Sequence, residues 1–204
     1  MNFKLKEFFH ELKHHAPFTA LATILAVLIS ILIIYDLKQN ISEEIFHILH
    51  PLHVIVSAIV TSAIFYKYKK NIFQAVLVGI FGSIIIGSIS DIIFPYIGGK
   101  ILTLKISFHL PIIEKPLLIL LSAFIGSFLG IITRFTKIPH LIHVGLSVFA
   151  SIFYLLSFTE NFSFLFFVEV FVIVFIAVII PCCTSDILFP FFFLGKRIKT
   201  RECK

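Results

Sequence analysis

The sequence predicts an all-α, polytopic membrane protein, and three observations support this prediction. Hydrophobic residues make up 59% of the 204 residues and charged residues only 14%, with a mean hydropathy of +1.07, unlike any water-soluble domain of this size. Six apolar runs reach the length of about 20 residues that crosses a hydrocarbon core of roughly 30 Å. They lie near residues 17–35, 46–66, 72–93, 116–133, 139–158 and 163–190. Finally, polar motifs occur twice, which indicates an internal duplication.

The order of segments follows from these runs. Near the N-terminus, apolar residues recur at the spacing of one helical face, namely Leu5, Phe8, Phe9 and Leu12. This spacing predicts a short amphipathic helix on the membrane surface. The predicted segments are 1–16 (interfacial helix), 17–99 (first three-helix repeat), 100–115 (extracytoplasmic connection), 116–194 (second three-helix repeat) and 195–204 (basic cytoplasmic tail).

The distribution of positive charge predicts the orientation. The formal net charge is +6, and the 17 Lys and Arg residues lie near the ends of the apolar runs, where such residues orient membrane proteins. Nucleic-acid binding is therefore not expected. With both termini in the cytoplasm only four of these residues lie outside, namely Lys38, Lys100, Lys105 and Lys115. The positive-inside rule thus predicts a multi-pass protein of the cell (inner) membrane with both termini cytoplasmic.

Two polar motifs are repeated along the chain. Residues 90–95, Ser-Asp-Ile-Ile-Phe-Pro, match residues 185–190, Ser-Asp-Ile-Leu-Phe-Pro, at five of six positions. An ionisable residue within a span is costly and is by default a functional hypothesis. A histidine pair with two hydroxyl residues also recurs: His50, His53, Ser57 and Thr61 return as His140, His143, Ser147 and Ser151. The copies lie 90 residues apart for the histidines and 95 for the aspartates, which predicts a duplicated unit.

A unit of three spans crosses the membrane an odd number of times, so the second copy is predicted to be inverted. The first set, His50, His53 and Asp91, would lie near the outer face, and the second set, His140, His143 and Asp186, near the inner face. A 3+3 inverted repeat of this kind is a recurrent plan of secondary transporters.

Histidines three positions apart share one helical face and can bind one metal ion, with an aspartate of the next span as the anionic ligand. The predicted metal ligands are His50, His53, Asp91, His140, His143 and Asp186; additional candidates are His47, Cys182, Cys183 and Glu169. The predicted ion is a divalent transition metal such as zinc, iron, nickel or manganese. Without a metal, histidines would bond carbonyls, aspartates would cap helices, cysteines would fill space and the glutamate would reach the interface.

Small residues four positions apart form stripes on several predicted spans. Such stripes predict a tight bundle, because small side chains let helices approach closely. The stripes include Ser57–Thr61, Gly79–Ser83–Gly87, Ser122–Gly126–Gly130 and Ser147–Ser151. In addition, proline lies four residues after each aspartate, and Pro181 precedes Asp186. Because proline removes a helical hydrogen bond, both helices are predicted to be interrupted beside the aspartate.

Two motifs carry a family resemblance. Residues 181–187, Pro-Cys-Cys-Thr-Ser-Asp-Ile, and residues 50–54, His-Pro-Leu-His-Val, resemble those of a family of small prokaryotic polytopic membrane proteins without an assigned activity. The resemblance covers most of the chain and implies no function.

The leading hypothesis is an alternating-access carrier for a small ion in the lipid bilayer, with the two pseudo-symmetric sets as gates or successive binding stations and a homodimer as the assembly. An enzyme remains an alternative, namely an intramembrane metalloenzyme in which one His/His/Asp set activates water for hydrolysis. A haem-binding protein and a scaffold with helix-capping polar residues are further alternatives. Equal loss of function from mutating either copy favours the carrier, because catalysis needs no symmetry.

Overall fold

The computed structural model describes residues 5–36, 42–159 and 162–194. These ranges contain eight α-helices: α1 (Leu5–Ile31), α2 (Glu43–Tyr68), α3 (Ile72–Ser88), α4 (Phe94–Ile101), α5 (Pro111–Glu114), α6 (Pro116–Thr133), α7 (Lys137–Leu156) and α8 (Phe164–Leu194). Two π-helical turns, Leu32–Asp36 and Ile89–Ile93, extend α1 and join α3 to α4. No strand occurs within the described ranges, so the all-α class is confirmed.

Five stretches are long and apolar enough to cross a membrane. They are His15–Asp36, Glu43–Tyr68, Ile72–Ile101, Pro116–Thr133 and Phe164–Cys182. The predicted fifth span corresponds to α7, whose apolar part, Leu141–Leu156, is shorter than these. The described residues thus contain five helices that are long and apolar enough to span a membrane, which indicates a membrane protein. The sixth span and the 3+3 repeat stay predictions.

Helix α1 continues through the boundary predicted at Pro17. It runs without a break from Leu5 to Ile31, with Pro17 inside it, and its apolar part begins at His15. The predicted interfacial segment is therefore the first part of a longer helix rather than a separate one. Whether this part lies on the membrane surface stays a prediction.

The helices beside the two aspartates are not interrupted as predicted. At Asp91 the chain forms a π turn, in which the Phe94 N–H donates to the carbonyl oxygen of Ile89. This wider turn precedes Pro95, which lies in the first turn of α4 and cannot donate a hydrogen bond. Helix α8 also runs continuously through Pro181 and Pro190. The prediction of a broken helix is wrong for α8, which continues through both prolines. At Asp91 a π turn separates α3 from α4, although the stretch Ile72–Ile101 stays helical.

Helix α2 lies at the centre of the bundle and packs against α3, α6, α7 and α8. The contact with α6 is closest, since a Cβ atom added at Gly126 or Gly130 would collide with the carbonyl oxygen of Ile55 or Ile59. The small-residue stripe on α6 therefore brings two backbones together. This confirms the predicted tight packing for that stripe.

The outer surface of the bundle is apolar. Large exposed hydrophobic side chains lie along α1, α3, α6 and α8, as expected for surfaces that face lipid. At one end, the side chains of Lys70 and Arg134 both lie over the ring of Tyr66. Lys70 and Arg134 belong to two basic segments that are predicted to be cytoplasmic, and they lie at the same end of the bundle. The chain orientation itself stays a prediction.

Candidate metal centre

Asp91 is the centre of a buried polar cluster. The π turn places it at the packing interface of α2, α7 and α8, where its side chain is fully buried. Its Oδ1 accepts hydrogen bonds from the hydroxyls of Ser90 and Ser147, each at 2.8 Å. Its Oδ2 contacts Nδ1 of His50 at 2.8 Å and Nδ1 of His53 at 2.6 Å. A buried carboxylate is costly unless it is paired and hydrogen-bonded, and Asp91 meets this condition.

The two histidines of α2 are oriented by the same carboxylate oxygen. A carboxylate only accepts hydrogen bonds, so Nδ1 is the protonated ring nitrogen of both His50 and His53 when they are neutral. This tautomer leaves a lone pair on each Nε2. For His53, Nε2 is buried and has no hydrogen-bond partner among the described residues. Such a carboxylate–histidine pair is the usual support behind a metal-binding imidazole.

Residues of the second motif meet the first one at this point. The ring of His143 lies 4.6 Å from the ring of His53, measured between centroids. The Ser147 hydroxyl donates to Asp91, and the Ser151 hydroxyl donates to the carbonyl oxygen of Ser90 at 3.1 Å. The prediction that the two sets occupy opposite membrane faces is therefore wrong for His143. Helices α2 and α7 pack antiparallel, since Phe46 contacts Tyr154 and His53 contacts His143, and this packing brings His143 and Ser147 beside the first motif.

Two groups of three side chains are arranged as a metal site would require. Both contain His53: one adds His50 and Asp91, and the other adds His143 and Cys182. Within each group the potential ligand atoms lie within 4.8 Å of one another, and all five side chains are buried. In the first group, Nδ1 of each histidine already contacts Oδ2 of Asp91. The second group offers imidazole and thiol ligands, and the Cys182 sulfur also lies 3.5 Å from Ser147 Oγ.

The cluster lies deep in the bundle. His53 follows the first residue of α2, Glu43, by ten positions, which corresponds to about 15 Å along a helix. This is about half of a hydrocarbon core of roughly 30 Å. The side chains of His53, Asp91 and His143 are fully buried, and His50 is 1% exposed. A site here would be occluded from water on both sides.

The remaining predicted residues fall into four classes. The hydroxyls of Ser57 and Thr61 are buried without a hydrogen-bond partner among the described residues. Glu169 is half-buried on α8 and belongs to none of the described metal-capable groups. His47 belongs to a separate group. The side chains of His140, Cys183 and Asp186 lie outside the described part of the structure.

The sequence reasoning missed three features. Ser90 precedes the aspartate in the repeated motif and donates a hydrogen bond to it, a role that the sequence did not predict. His109, in the connection before α5, lies beside Glu43 and His47. The contact between His53 and His143 was also missed. The repeat itself was a usable signal for Ser90, whereas only the tertiary packing reveals the other two.

Comparison of the chain with protein-family models, characterised proteins and solved structures found no match. The family resemblance of the two motifs therefore stays a prediction, and function has to be inferred from the geometry of the site.

Proposed function

We propose that this protein carries a divalent transition-metal ion across the membrane through one occluded site at the centre of the bundle. The observation that supports this most directly is the meeting of His53 and His143 beside Asp91 and Cys182. Metal-ligating groups are expensive inside a membrane and are found there mainly on ion pathways. A carrier needs its site near mid-depth, where it can open to either side in turn.

The ligand set favours zinc or a similar borderline-soft ion. In the proposal, His53 binds the ion through Nε2, with His143 and the Cys182 thiolate as the other protein ligands. Asp91 holds the His53 ring from behind through Nδ1 rather than touching the ion. Imidazole and thiolate suit zinc, whereas manganese prefers carboxylate, carbonyl and water ligands. Among the four predicted metals, zinc is therefore expected to be preferred and manganese to be carried least.

The inverted repeat is retained as part of the proposal. His53 and His143 occupy equivalent positions of the two motifs, 90 residues apart, and they are in contact. Equivalent residues touch each other when they lie on a two-fold axis. A two-fold axis through this contact supports alternating access, because the same site would open to opposite sides by equivalent motions of the two halves. The two binding stations of the sequence hypothesis thereby become one shared site.

The alternative functions are less well supported. A water-activating metalloenzyme needs an open coordination position reached by water and substrate, whereas the His53 and Asp91 side chains are fully buried. A haem between histidines of two helices needs space between the rings, and the rings of His53 and His143 are in contact. Because both motifs build one site, equal loss from either copy no longer separates a carrier from an enzyme. Net metal flux across the membrane separates the two, because only a carrier moves metal ions from one side to the other.

The test is metal uptake by proteoliposomes that contain the purified protein. We expect uptake of zinc to exceed that of nickel and iron, and manganese uptake to be smallest. His53→Ala and Asp91→Asn should abolish or strongly reduce this uptake. His15→Ala is the matched control, because His15 is also a buried histidine but belongs to none of the described metal-capable groups. Wild-type flux no greater than that of His53→Ala would overturn the proposal.

A further inference from the structure

A second group of potential ligands lies where α2 begins. It consists of Glu43, His47 and His109, whose potential ligand atoms lie within 4.8 Å of one another. Glu43 is exposed and both histidines are half-buried. Glu43 and His47 are four positions apart on α2, so they share one helical face. His109 comes from the connection between α4 and α5, which makes the group a tertiary arrangement rather than a local one.

The ring of His109 is held in place by aromatic neighbours. Its centroid lies 5.7 Å from that of Phe46, 5.4 Å from that of Tyr154 and 6.2 Å from that of Phe158. The Tyr154 hydroxyl also donates to the carbonyl oxygen of Ser107 at 3.0 Å, which fixes the connection two residues earlier. Packing of this kind orients an imidazole before any ligand binds.

One ring nitrogen of His109 lacks a hydrogen bond within the described part of the chain. Its Nε2 is buried and makes no hydrogen bond to any described residue, although an unsatisfied buried polar atom is costly. The ring of His47 lies 5.6 Å away, measured between centroids. A bound cation would use the lone pair of Nε2 together with His47 and the carboxylate of Glu43. Two further charges act on His47, those of Lys115 and Glu114; the lysine acts more strongly and opposes a cation, whereas the glutamate favours one.

The position of this group relates it to the central site. Glu43, His47, His50 and His53 follow one another along α2 at intervals of four, three and three residues, which keeps them on one face. Phe46 stacks on His50 at 5.5 Å and touches His47 at 5.5 Å. An ion at His47 would thus be separated from the buried histidines by one aromatic ring and about one helical turn.

We infer that Glu43, His47 and His109 form a second transition-metal site, partly open to solvent, that loads the central site. The loading role rests on the proposed function, whereas binding at this site does not. Two histidines and one carboxylate suit zinc and similar ions. The site is expected to exchange its ion readily, because it is partly exposed and offers only three protein ligands.

The test measures how many zinc ions the purified full-length protein binds in detergent. Equilibrium dialysis gives this number. Wild type should bind two ions, and His109→Phe should bind one, because phenylalanine keeps the aromatic packing while removing the nitrogen. His47→Ala should also bind one ion. His53→Ala should retain the outer ion and lose the central one, and His15→Ala should retain both.

Transport separates the two proposals. In proteoliposomes, His109→Phe should raise the half-saturating zinc concentration and leave the maximal rate unchanged. If His109→Phe and His47→Ala bind as many ions as wild type, the second site is overturned and the carrier proposal stands. If both variants lose one ion but wild type shows no flux, the carrier proposal fails while the outer site stands. An unchanged half-saturating concentration would overturn the loading role alone.

Discussion

The two faces of α2 differ in polarity and in how closely they pack against neighbouring helices. One face meets α6, and there Gly126 and Gly130 bring the backbones together at the carbonyl oxygens of Ile55 and Ile59. The other face carries polar side chains from Glu43 to Thr61 and meets α7, α8 and the π turn. The first face has few polar side chains and close packing, whereas the second buries a carboxylate and several imidazoles. A rigid contact on one side thus supports a costly polar cluster on the other.

This difference indicates how the site could be positioned inside an apolar bundle. Lipid gives no hydrophobic force between helices, so close packing of small residues has to hold them together. The α2–α6 contact does this through glycine packing and one buried hydrogen bond, which the Ser62 hydroxyl donates to the carbonyl oxygen of Ser127 at 2.9 Å. The polar face is then free to arrange its side chains around a ligand, and substitutions on the two faces should have separable effects.

The largest effect is expected from His53→Ala on the polar face. His53 belongs to both metal-capable groups of the central cluster, so its removal should abolish binding of the central ion and all zinc uptake. Ion content measured by mass spectrometry of the purified protein checks this. Retention of two bound ions in the variant would show that the central cluster is not a metal site.

Asp91→Asn is expected to weaken the central site less completely. The amide keeps the size of the side chain but removes the charge and one acceptor, so the His53 ring loses its orienting partner. Loss of such a supporting group typically lowers metal affinity by about 10- to 100-fold. Competition with a zinc chelator measures the change. Affinity equal to that of wild type would contradict the orienting role of Asp91.

Gly130→Ala tests the other face. The new methyl group would meet the Ile59 carbonyl oxygen and the Ser62 side chain, and overpacking of this kind costs about 1–3 kcal/mol. We expect a lower temperature of aggregation in detergent, measured by size-exclusion chromatography after heating. The number of ions bound per folded molecule should stay the same. Lost binding with unchanged thermal stability would show that the two faces are not separable.

The smallest effect is expected from Ser147→Ala. The variant removes one of the two hydroxyl donors to Asp91 Oδ1 and leaves Ser90 in place. Because Oδ1 keeps a hydrogen bond, the expected cost is about 0.5–1.5 kcal/mol. Thermal stability and zinc affinity should both fall slightly. Ser30→Ala is the control, since Ser30 is equally buried but, among the described residues, its hydroxyl bonds the Ala26 carbonyl of its own helix alone. Equal effects of both variants would show that Ser147 has no special role.

Much of the fold could be predicted because long apolar runs identify candidate membrane helices in the sequence. The apolar runs located the five helices that are long and apolar enough to span a membrane, and the glycine stripe on α6 predicted a close contact. Proline spacing did not predict the backbone at Pro95 or Pro181. A π turn precedes Pro95, and helix α8 continues through Pro181. A π turn depends on the packing around it, so proline spacing alone does not reveal it.

For the site, the repeat identified the right residue types but not their arrangement. His50, His53 and Asp91 form one cluster, as the spacing and the neighbouring spans predicted. The contact between His143 and His53 depends on the relative axial position of α2 and α7. No local sequence pattern encodes this position. His109 was overlooked for the same reason, because its partners Glu43 and His47 are more than 60 residues away in the sequence.

The most direct test of the central claim is X-ray absorption spectroscopy of bound zinc in His109→Phe, which keeps only the central ion. We predict a coordination shell of imidazole nitrogens with one sulfur at about 2.3 Å, and loss of the sulfur when Cys182→Ser is added. A shell without sulfur, or one that Cys182→Ser leaves unchanged, would contradict a central site built by His53, His143 and Cys182.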